Sequence, residues 1–301
     1  MEKQDFITNM NISFIGAGNM GFGIVKNLCE KLKFSQLKIL KHEKNIDLKL
    51  LKSFKREVEL VSSISDTVRN ADIVFVCLPN SLVSREILFD NEFIENIKSG
   101  TAIIDLTTQS SEFVNEALKL FEDLFVDYYD CPLIRSPKDA FDGKLVTLAG
   151  GITEKDYLWP LLETFSETIF SIPLGQAVQY KLLNNYICMS FNVIVQTGLF
   201  YTEILKLDRH LLETIMKSGT NYILGLSLVN QYLDSMDLNI LNFKLKDAQK
   251  DLVYFYEMII NESKEVNLTL TELIIDIFSK ANLTGNETLP MLYESLRNKN
   301  E

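Results

Sequence analysis

Six residues near the start of the chain constrain its fold more than any other feature. Gly16-Ala17-Gly18-Asn19-Met20-Gly21 fits G-x-G-x-x-G, follows the apolar run Ile12–Ile15 and precedes a helical segment, Phe22–Leu32. In a strand–loop–helix of this kind the first glycine permits the tight turn and the second lets the backbone approach a pyrophosphate. The third permits close packing of helix on strand, and the helix N-terminus then faces the phosphates. A bare match also describes an empty tight turn, so the meaning comes from its place at the head of a strand–helix alternation. Gly16, Gly18, Asn19, Met20 and Gly21 are therefore the expected dinucleotide contacts.

That alternation continues through the first half of the chain. Apolar runs recur at Leu37–Leu40, Ile73–Leu78, Ala102–Asp105, Val126–Cys131, Leu145–Ala149 and Ile169–Ile172, and helical stretches such as Ser111–Phe121 and Glu154–Phe165 separate them. Continuous apolar runs are what strands buried on both faces look like, and strands alternating with helices predict a parallel sheet wound on both faces. After Pro173 and Gly175 the strand signal disappears and helical spacing persists almost to the end. The expectation is an α/β chain: a Rossmann-type doubly wound domain over residues 1–175, and an all-α domain over 176–301 for substrate and oligomerisation, joined by a long helix. A polar tail, Asn298–Glu301, should fray.

Cofactor choice is decided at the end of the second strand, where an acid bonds the ribose 2′-hydroxyl and basic residues accommodate a 2′-phosphate. Here the strand Leu37–Leu40 is followed by Lys41-His42-Glu43-Lys44. Lys41 stands where the acid is expected and favours NADP, while Glu43 leaves NAD open.

The helix expected from about Gln176 is apolar nearly all round, so it should lie inside the molecule. Yet Lys181, Asn184, Asn185, Cys188, Asn192 and Gln196 fall on one narrow face at helical spacing. A lysine among asparagines on such a helix needs partners or a task, because an unpaired buried charge is costly. The plain reading is a structural polar seam; the sharper one makes Lys181 a general acid–base oriented by the asparagines.

Bulk properties remove several function classes. With 41 acidic against 30 basic residues the net charge is −11, which repels a phosphate backbone or an anionic membrane surface. The most hydrophobic stretch, Tyr186–Leu205, is interrupted by Asn192, Gln196 and Glu203, and no apolar leader segment opens the chain. Four scattered cysteines and two histidines offer no metal-ligand spacing and no disulfide framework. These features point to a reduced, cytoplasmic protein with no metal, no nucleic-acid partner and no membrane span.

Taken together, the motifs resemble the β-hydroxyacid dehydrogenase family over nearly the whole chain. The resemblance is carried by Phe14-Ile15-Gly16-Ala17-Gly18-Asn19-Met20-Gly21, by Leu78-Pro79, by Asp105-Leu106-Thr107-Thr108 and by Asp130-Cys131-Pro132. Gly143-Lys144-Leu145 with Gly150-Gly151, then Lys181-Leu182-Leu183-Asn184-Asn185, and Lys250-Asp251-Leu252 complete it in order. It implies that Lys181 is the catalytic acid–base with Asn185 as its partner. It implies also that Thr108 and Lys250 contact the cofactor, that Leu78 and Pro79 line it, and that Asp251 supports the site.

Where most of that family has D-x-P-V-S-G-G, this chain reads Asp130-Cys131-Pro132-Leu133-Ile134-Arg135-Ser136-Pro137, with Ile134 and Arg135 in place of the serine and first glycine. An Arg-Ser pair here resembles the sulfolactaldehyde reductase branch, in which serine stands at the position of Cys188. A guanidinium binds carboxylate or sulfonate through paired N–H donors, so Arg135, Ser136 and Asn184 are the expected contacts to an anionic substrate end. The expected activity is NADP- or NAD-dependent interconversion of a small β-hydroxyacid or hydroxy-sulfonate and its semialdehyde, in a homodimer or homotetramer formed through the helical domain. The rivals are an imine reductase, a 6-phosphogluconate dehydrogenase-type enzyme, and a non-catalytic dinucleotide-binding regulator.

Overall fold

A computed structural model gives the fold and describes residues 7–41, 51, 53–219, 224–283 and 287–297. His42, Glu43, Lys44 and the tail from Asn298 lie outside the described residues. The chain divides into two compact units, Met1–Lys181 and Leu182–Glu301. The division falls inside a long helix whose start lies just past the boundary expected at 175/176.

In the first unit six parallel strands form one sheet: β1 (Asn11–Ile15), β2 (Gln36–Leu40), β3 (Glu59–Val61), β4 (Ile73–Val76), β5 (Ala102–Asp105) and β6 (Asp127–Asp130). Their order is β3-β2-β1-β4-β5-β6, so the direction of winding reverses between β1 and β4. Helices α1 (Asn19–Lys31), α2 (Ile64–Val68), α3 (Ser81–Leu88), α4 (Asn91–Asn96) and α5 (Ser111–Asp123) connect the strands. All four residues of β4 and of β5 are buried, as an apolar strand covered on both faces must be. Phe14 and Phe75 stack at 5.9 Å between ring centres and Phe165 meets Phe75 edge-on at 6.3 Å. All three rings are fully buried, each contributing about 1.5–3 kcal/mol. On α5 the Ser110 hydroxyl accepts the Phe113 N–H, and Phe113, Val114, Ala117 and Phe121 form the buried face.

The later strand runs do not extend this sheet. The strands β7 (Leu133–Ile134), β8 (Leu145–Gly150) and β9 (Ser166–Ile172) form a second sheet, β7 antiparallel and β9 parallel to β8. Between β7 and β8 lies α6 (Pro137–Asp142), and between β8 and β9 the helix expected over Glu154–Phe165 shortens to α7 (Trp159–Glu163). α6 is held against α1: a Cβ on Gly23 would come within 2.6 Å of Ala140 and Phe141 backbone atoms, and the buried Asn27 amide donates to the Ala140 carbonyl at 2.8 Å. The glycine-loop helix and the segment after Arg135 are thereby one packed body.

The long helix α8 spans Ala177–Ile204. In the second unit it is followed by α9 (Arg209–Ser218), α10 (Leu224–Ser235), α11 (Leu245–Glu262), α12 (Thr269–Ala281), a 3₁₀ turn (Leu289–Met291) and α13 (Leu292–Arg297). Met189 and Val193 of α8 pack with Leu245, Ala248, Leu252, Ile274, Phe278 and Leu292. The expectation that α8 lies wholly inside the molecule is corrected in the single chain. Tyr180, Leu183, Ile187, Phe191, Ile194 and Tyr201 are exposed, and their spacing of 3, 4, 4, 3 and 7 draws one apolar stripe along the helix. Periodicity alone could not separate burial by the chain itself from burial by another molecule.

Candidate active site

The glycine loop joins β1 to α1 beside the point where the sheet order reverses, the place where open α/β sheets bind ligands. Gly16 has φ +95°, and a Cβ there would sit 2.2 Å from the Cys77 carbonyl oxygen. A Cβ on Gly21 would sit 2.2 Å from the Gly16 oxygen, so these two glycines are required by packing. Gly18 differs: nothing lies within 4 Å of its virtual Cβ, so it leaves an open approach to the backbone. It is also the N-cap residue of α1, with no side-chain cap, and the first turn of that helix carries no acidic residue. Uncapped N–H groups over open space, at the positive end of a 13-residue helix, suit a pyrophosphate.

Leu78 and Pro79 follow β4, and Thr107 and Thr108 follow β5. Leu78 Cδ2 lies 3.2 Å from the virtual Cβ of Gly16, and the Leu78 N–H donates to Thr107 Oγ1 at 2.9 Å. Asp105, buried at the end of β5, fixes that loop by accepting from the Thr107 N–H (2.9 Å), Gln109 Nε2 (2.7 Å) and the Tyr128 hydroxyl (2.7 Å). Burial pushes the Asp105 carboxyl up and these hydrogen bonds oppose it. Among the described residues the expected contacts Gly16, Gly18, Asn19, Met20, Gly21, Leu78, Pro79 and Thr108 thus lie on the loops and the helix start that follow the C-terminal ends of β1, β4 and β5. Lys41 sits exposed at the end of β2, its N–H bonded to the Val61 carbonyl.

The loop after β6 carries the other half of the first unit's chemistry. Arg135 has φ +88°, a left-handed conformation that costs a non-glycine residue roughly 1–3 kcal/mol. The family pattern it resembles places glycine there. Its Nη1 pairs with Glu167 at 2.5 Å and donates to the Lys144 carbonyl. Glu167 itself borders an open groove of about 590 Å³ with Glu154, Trp159 and Glu163, a surface too acidic for an anion. Ser136 is the N-cap of α6, its hydroxyl and N–H both engaged with Asp139 in a capping box.

Lys181, the last residue of the first unit, is 9% exposed on α8. Ahead of it Asp130, buried at the end of β6, accepts the N–H of Gly175 (2.8 Å) and of Val178 (3.0 Å). Burial pushes the Asp130 carboxyl up to about 6, and the N–H donors at the helix start oppose that rise.

In the second unit four expected residues form one chain of contacts. Asn184 Nδ2 donates to Asn185 Oδ1 at 3.2 Å, Asn185 Nδ2 donates to Asp251 Oδ2 at 2.6 Å, and Lys250 Nζ lies 3.2 Å from Asp251 Oδ1. Tyr186 stacks on Phe255 at 4.3 Å beside it. The rest of the polar face of α8 is structural. Gln196 is buried and donates to the Leu289 carbonyl, Asn192 donates to Cys188 of its own helix, and Cys188 is exposed. Sequence reasoning missed Gln109 and Tyr128, and it took Thr107 and Asp130 only as parts of motifs. Thr107 and Gln109 bond the nearby Asp105, but the links to Leu78 and Ser84, and those of Tyr128 and Asp130, reach 23 or more residues along the chain and leave no local spacing.

The NAD-binding domain family of 6-phosphogluconate dehydrogenase matches residues 11–173, more than half of the chain. The 3-sulfolactaldehyde reductase of Escherichia coli K12 is 26% identical over 213 residues, covering 69% of each chain. Among solved structures, Mycobacterium tuberculosis 3-hydroxyisobutyrate dehydrogenase with L-serine superposes with TM-score 0.80 at 20% identity, over 96% of this chain and 99% of that one. A protein named Psf3, in complex with NADP+ and 2-OPP, gives TM-score 0.79 at 21% identity over 95% and 99%. No helix among the described residues is long and apolar enough to cross a membrane. The chain belongs to the family of the 6-phosphogluconate dehydrogenase NAD-binding domain, and its fold is that of 3-hydroxyisobutyrate dehydrogenase.

Proposed function

We propose that this chain acts as a β-hydroxyacid dehydrogenase, interconverting a small anionic β-hydroxyacid, or hydroxy-sulfonate, and its semialdehyde, with Lys181 as general acid–base. Family membership supports an oxidoreductase that uses a nicotinamide dinucleotide. The observation that carries the finer reading is a lysine nine-tenths buried on α8, one turn ahead of an asparagine whose amide is fixed by a buried carboxylate.

A bound nicotinamide dinucleotide supplies or accepts the hydride. The residues of the first unit that would hold it are the backbone from Gly16 to Gly21, with Leu78, Pro79 and Thr108 beside them; Lys250 is a contact that the family resemblance implies. Lys41, at the end of β2, supports NADP because a lysine attracts a 2′-phosphate that a carboxylate would repel. Lys181 Nζ gives its proton to the carbonyl oxygen during reduction and takes the hydroxyl proton during oxidation, a contribution of typically 10²–10⁴-fold. Asn185 orients Lys181, and Asp251 keeps Asn185 in place. Arg135 Nη2 and Nε, which bond no described residue, would grip the acid end, with Ser136 at the start of α6 beside it; Asn184 is a substrate contact that the family resemblance implies. Strain at Arg135 supports that assignment, since an unfavourable φ persists where surroundings or function maintain it. The apolar stripe from Tyr180 to Tyr201 on α8 would be covered by a second copy of the chain in a dimer or tetramer.

The test is turnover of sulfolactaldehyde, methylmalonate semialdehyde, tartronate semialdehyde and succinate semialdehyde with NADPH and with NADH. Reduction of at least one of the four supports the reading. Reduction of an imine but none of the four transfers the chain to the imine reductases, and tight cofactor binding with no turnover of either class makes it a regulator.

A further inference from the structure

The first turn of α8 is built by a residue that is not part of it. The helix begins at Ala177, its first turn holds no acidic residue, and the residue before it is Gln176, a side chain that caps poorly. Its entrance N–H groups reach instead to Asp130, 45 and 48 positions earlier: Gly175 donates to one carboxylate oxygen and Val178 to the other. Space for this carboxylate exists only because residue 150 is glycine. A Cβ there would sit 2.1 Å from Asp130 Oδ1 and 2.6 Å from the Asp130 carbonyl oxygen.

Lys181 follows Val178 by three positions, less than one turn. Whatever sets the height and rotation of the first turn therefore sets the direction in which Lys181 leaves the helix. We propose that Asp130 is a positioning residue for the reaction: by accepting two N–H groups at the start of α8, it fixes where Lys181 presents its ammonium. The proposal rests on the reading of Lys181 as general acid–base.

The choice of side chain supports it. A serine or asparagine caps a helix without burying an ionisable group, and burial of this one carries an electrostatic cost, seen in its raised pKa. A carboxylate alone offers two equivalent acceptor oxygens on one rigid plane, so both N–H groups are held at once. Two simultaneous bonds fix a rotation that one bond leaves free. Asp130 also ends β6, whose neighbour β5 runs into the loop of Thr107 and Thr108. The carboxylate therefore ties the helix of the acid–base to the C-terminal end of the sheet, which holds the expected cofactor contacts.

The experiment compares Asp130→Asn, Asp130→Ala and Lys181→Met with wild type. The semialdehyde turned over best is the substrate, with kcat, KM, cofactor dissociation constant by NADPH fluorescence, and melting temperature as readouts. Misplacing a catalytic group by about 1 Å can cost ~10²-fold, so Asp130→Ala should lose roughly that in kcat while KM and cofactor affinity hold. Asp130→Asn keeps one acceptor oxygen and the side-chain volume, and its kcat should fall between the two. A merely structural role would lower the melting temperature and leave kcat per folded molecule unchanged, which overturns the proposal. If Asp130→Ala does not fold, Asp130→Asn decides alone: a wild-type kcat overturns the positioning role. An inactive Lys181→Met beside fully active Asp130 variants removes only the positioning role. A fully active Lys181→Met removes the acid–base reading and the proposal with it.

Discussion

Asn185 donates a 2.6 Å hydrogen bond to Asp251, across 66 residues of sequence, and both side chains are buried. This bond joins α8 to α11 and leaves the carboxylate with Lys250 on its other oxygen. Removing Asn185 would leave Asp251 in the interior with one partner instead of two. Asn185→Leu should therefore cost about 1–3 kcal/mol, the penalty of an under-satisfied buried group, read as a lower denaturant midpoint. Asn185→Leu with Asp251→Leu together should be less destabilised than the two single losses added. An additive double variant would mean that the two residues do not depend on one another.

The two ends of the glycine loop should respond differently to the same substitution. Gly16→Ala places a Cβ 2.2 Å from a backbone oxygen at φ +95°, so it should lower the melting temperature and impair the fold. Gly18→Ala meets nothing within 4 Å, so the apo protein should melt as wild type does. Its cofactor affinity should nevertheless fall at least ~10-fold, equivalent to about 1.4 kcal/mol, because the methyl occupies the pyrophosphate approach. Equal melting and equal cofactor affinity would place the pyrophosphate elsewhere.

Much of this was legible before any coordinates, and the reasons are physical. The G-x-G-x-x-G loop could be assigned because its glycines are demanded by contacts within a single strand–helix unit, such as Gly21 on Gly16. Strand β4 announced itself by being apolar throughout, and β5 by an apolar run that ends only at Asp105. Strand β3 did not: it is a three-residue edge strand with an exposed Glu59, and nothing in Glu59-Leu60-Val61 separates it from a loop. The separation of β7–β9 into a second sheet was equally invisible, since an apolar run states that a strand is covered and not which sheet it joins. Lys181, Asn184 and Asn185 stood out as polar residues on an apolar helix. Asp130 did not, because its role depends on a helix start that lies 47 residues away. The exposed stripe on α8 was read as burial for a related cause: composition does not say which molecule supplies the cover.

On the proposed reading cofactor preference turns on Lys41, exposed at the end of β2. Lys41→Asp should move the ratio of kcat/KM values toward NAD, because a carboxylate repels the 2′-phosphate and bonds the 2′-hydroxyl. A wild type that already prefers NAD by more than ~10-fold would put the charge argument wrong by over about 1.4 kcal/mol.

Arg135 and Glu167 should act in opposite directions on an anionic substrate. Glu167 holds Nη1 and offsets part of the guanidinium charge, so Glu167→Gln should lower KM for an anionic aldehyde. Arg135→Gly should raise it ~10-fold or more, as expected when a bidentate charge-assisted pair is lost. The same change relieves the strain of φ +88°, so thermal stability should hold or rise. An uncharged aldehyde of similar size should change little in either variant. Equal effects on both aldehydes would make Arg135 a structural residue of the β7–β9 sheet.

Whether Lys181 moves the proton is decided by the kcat of Lys181→Met across pH with the best semialdehyde. Methionine keeps the length and apolar stem of the side chain, so the fold and the cofactor dissociation constant should match wild type. If Lys181 is the acid–base, kcat falls by at least ~10²-fold and the pH-dependent limb assigned to it disappears. A folded, cofactor-binding Lys181→Met with near-normal kcat and an unchanged pH profile would contradict that role.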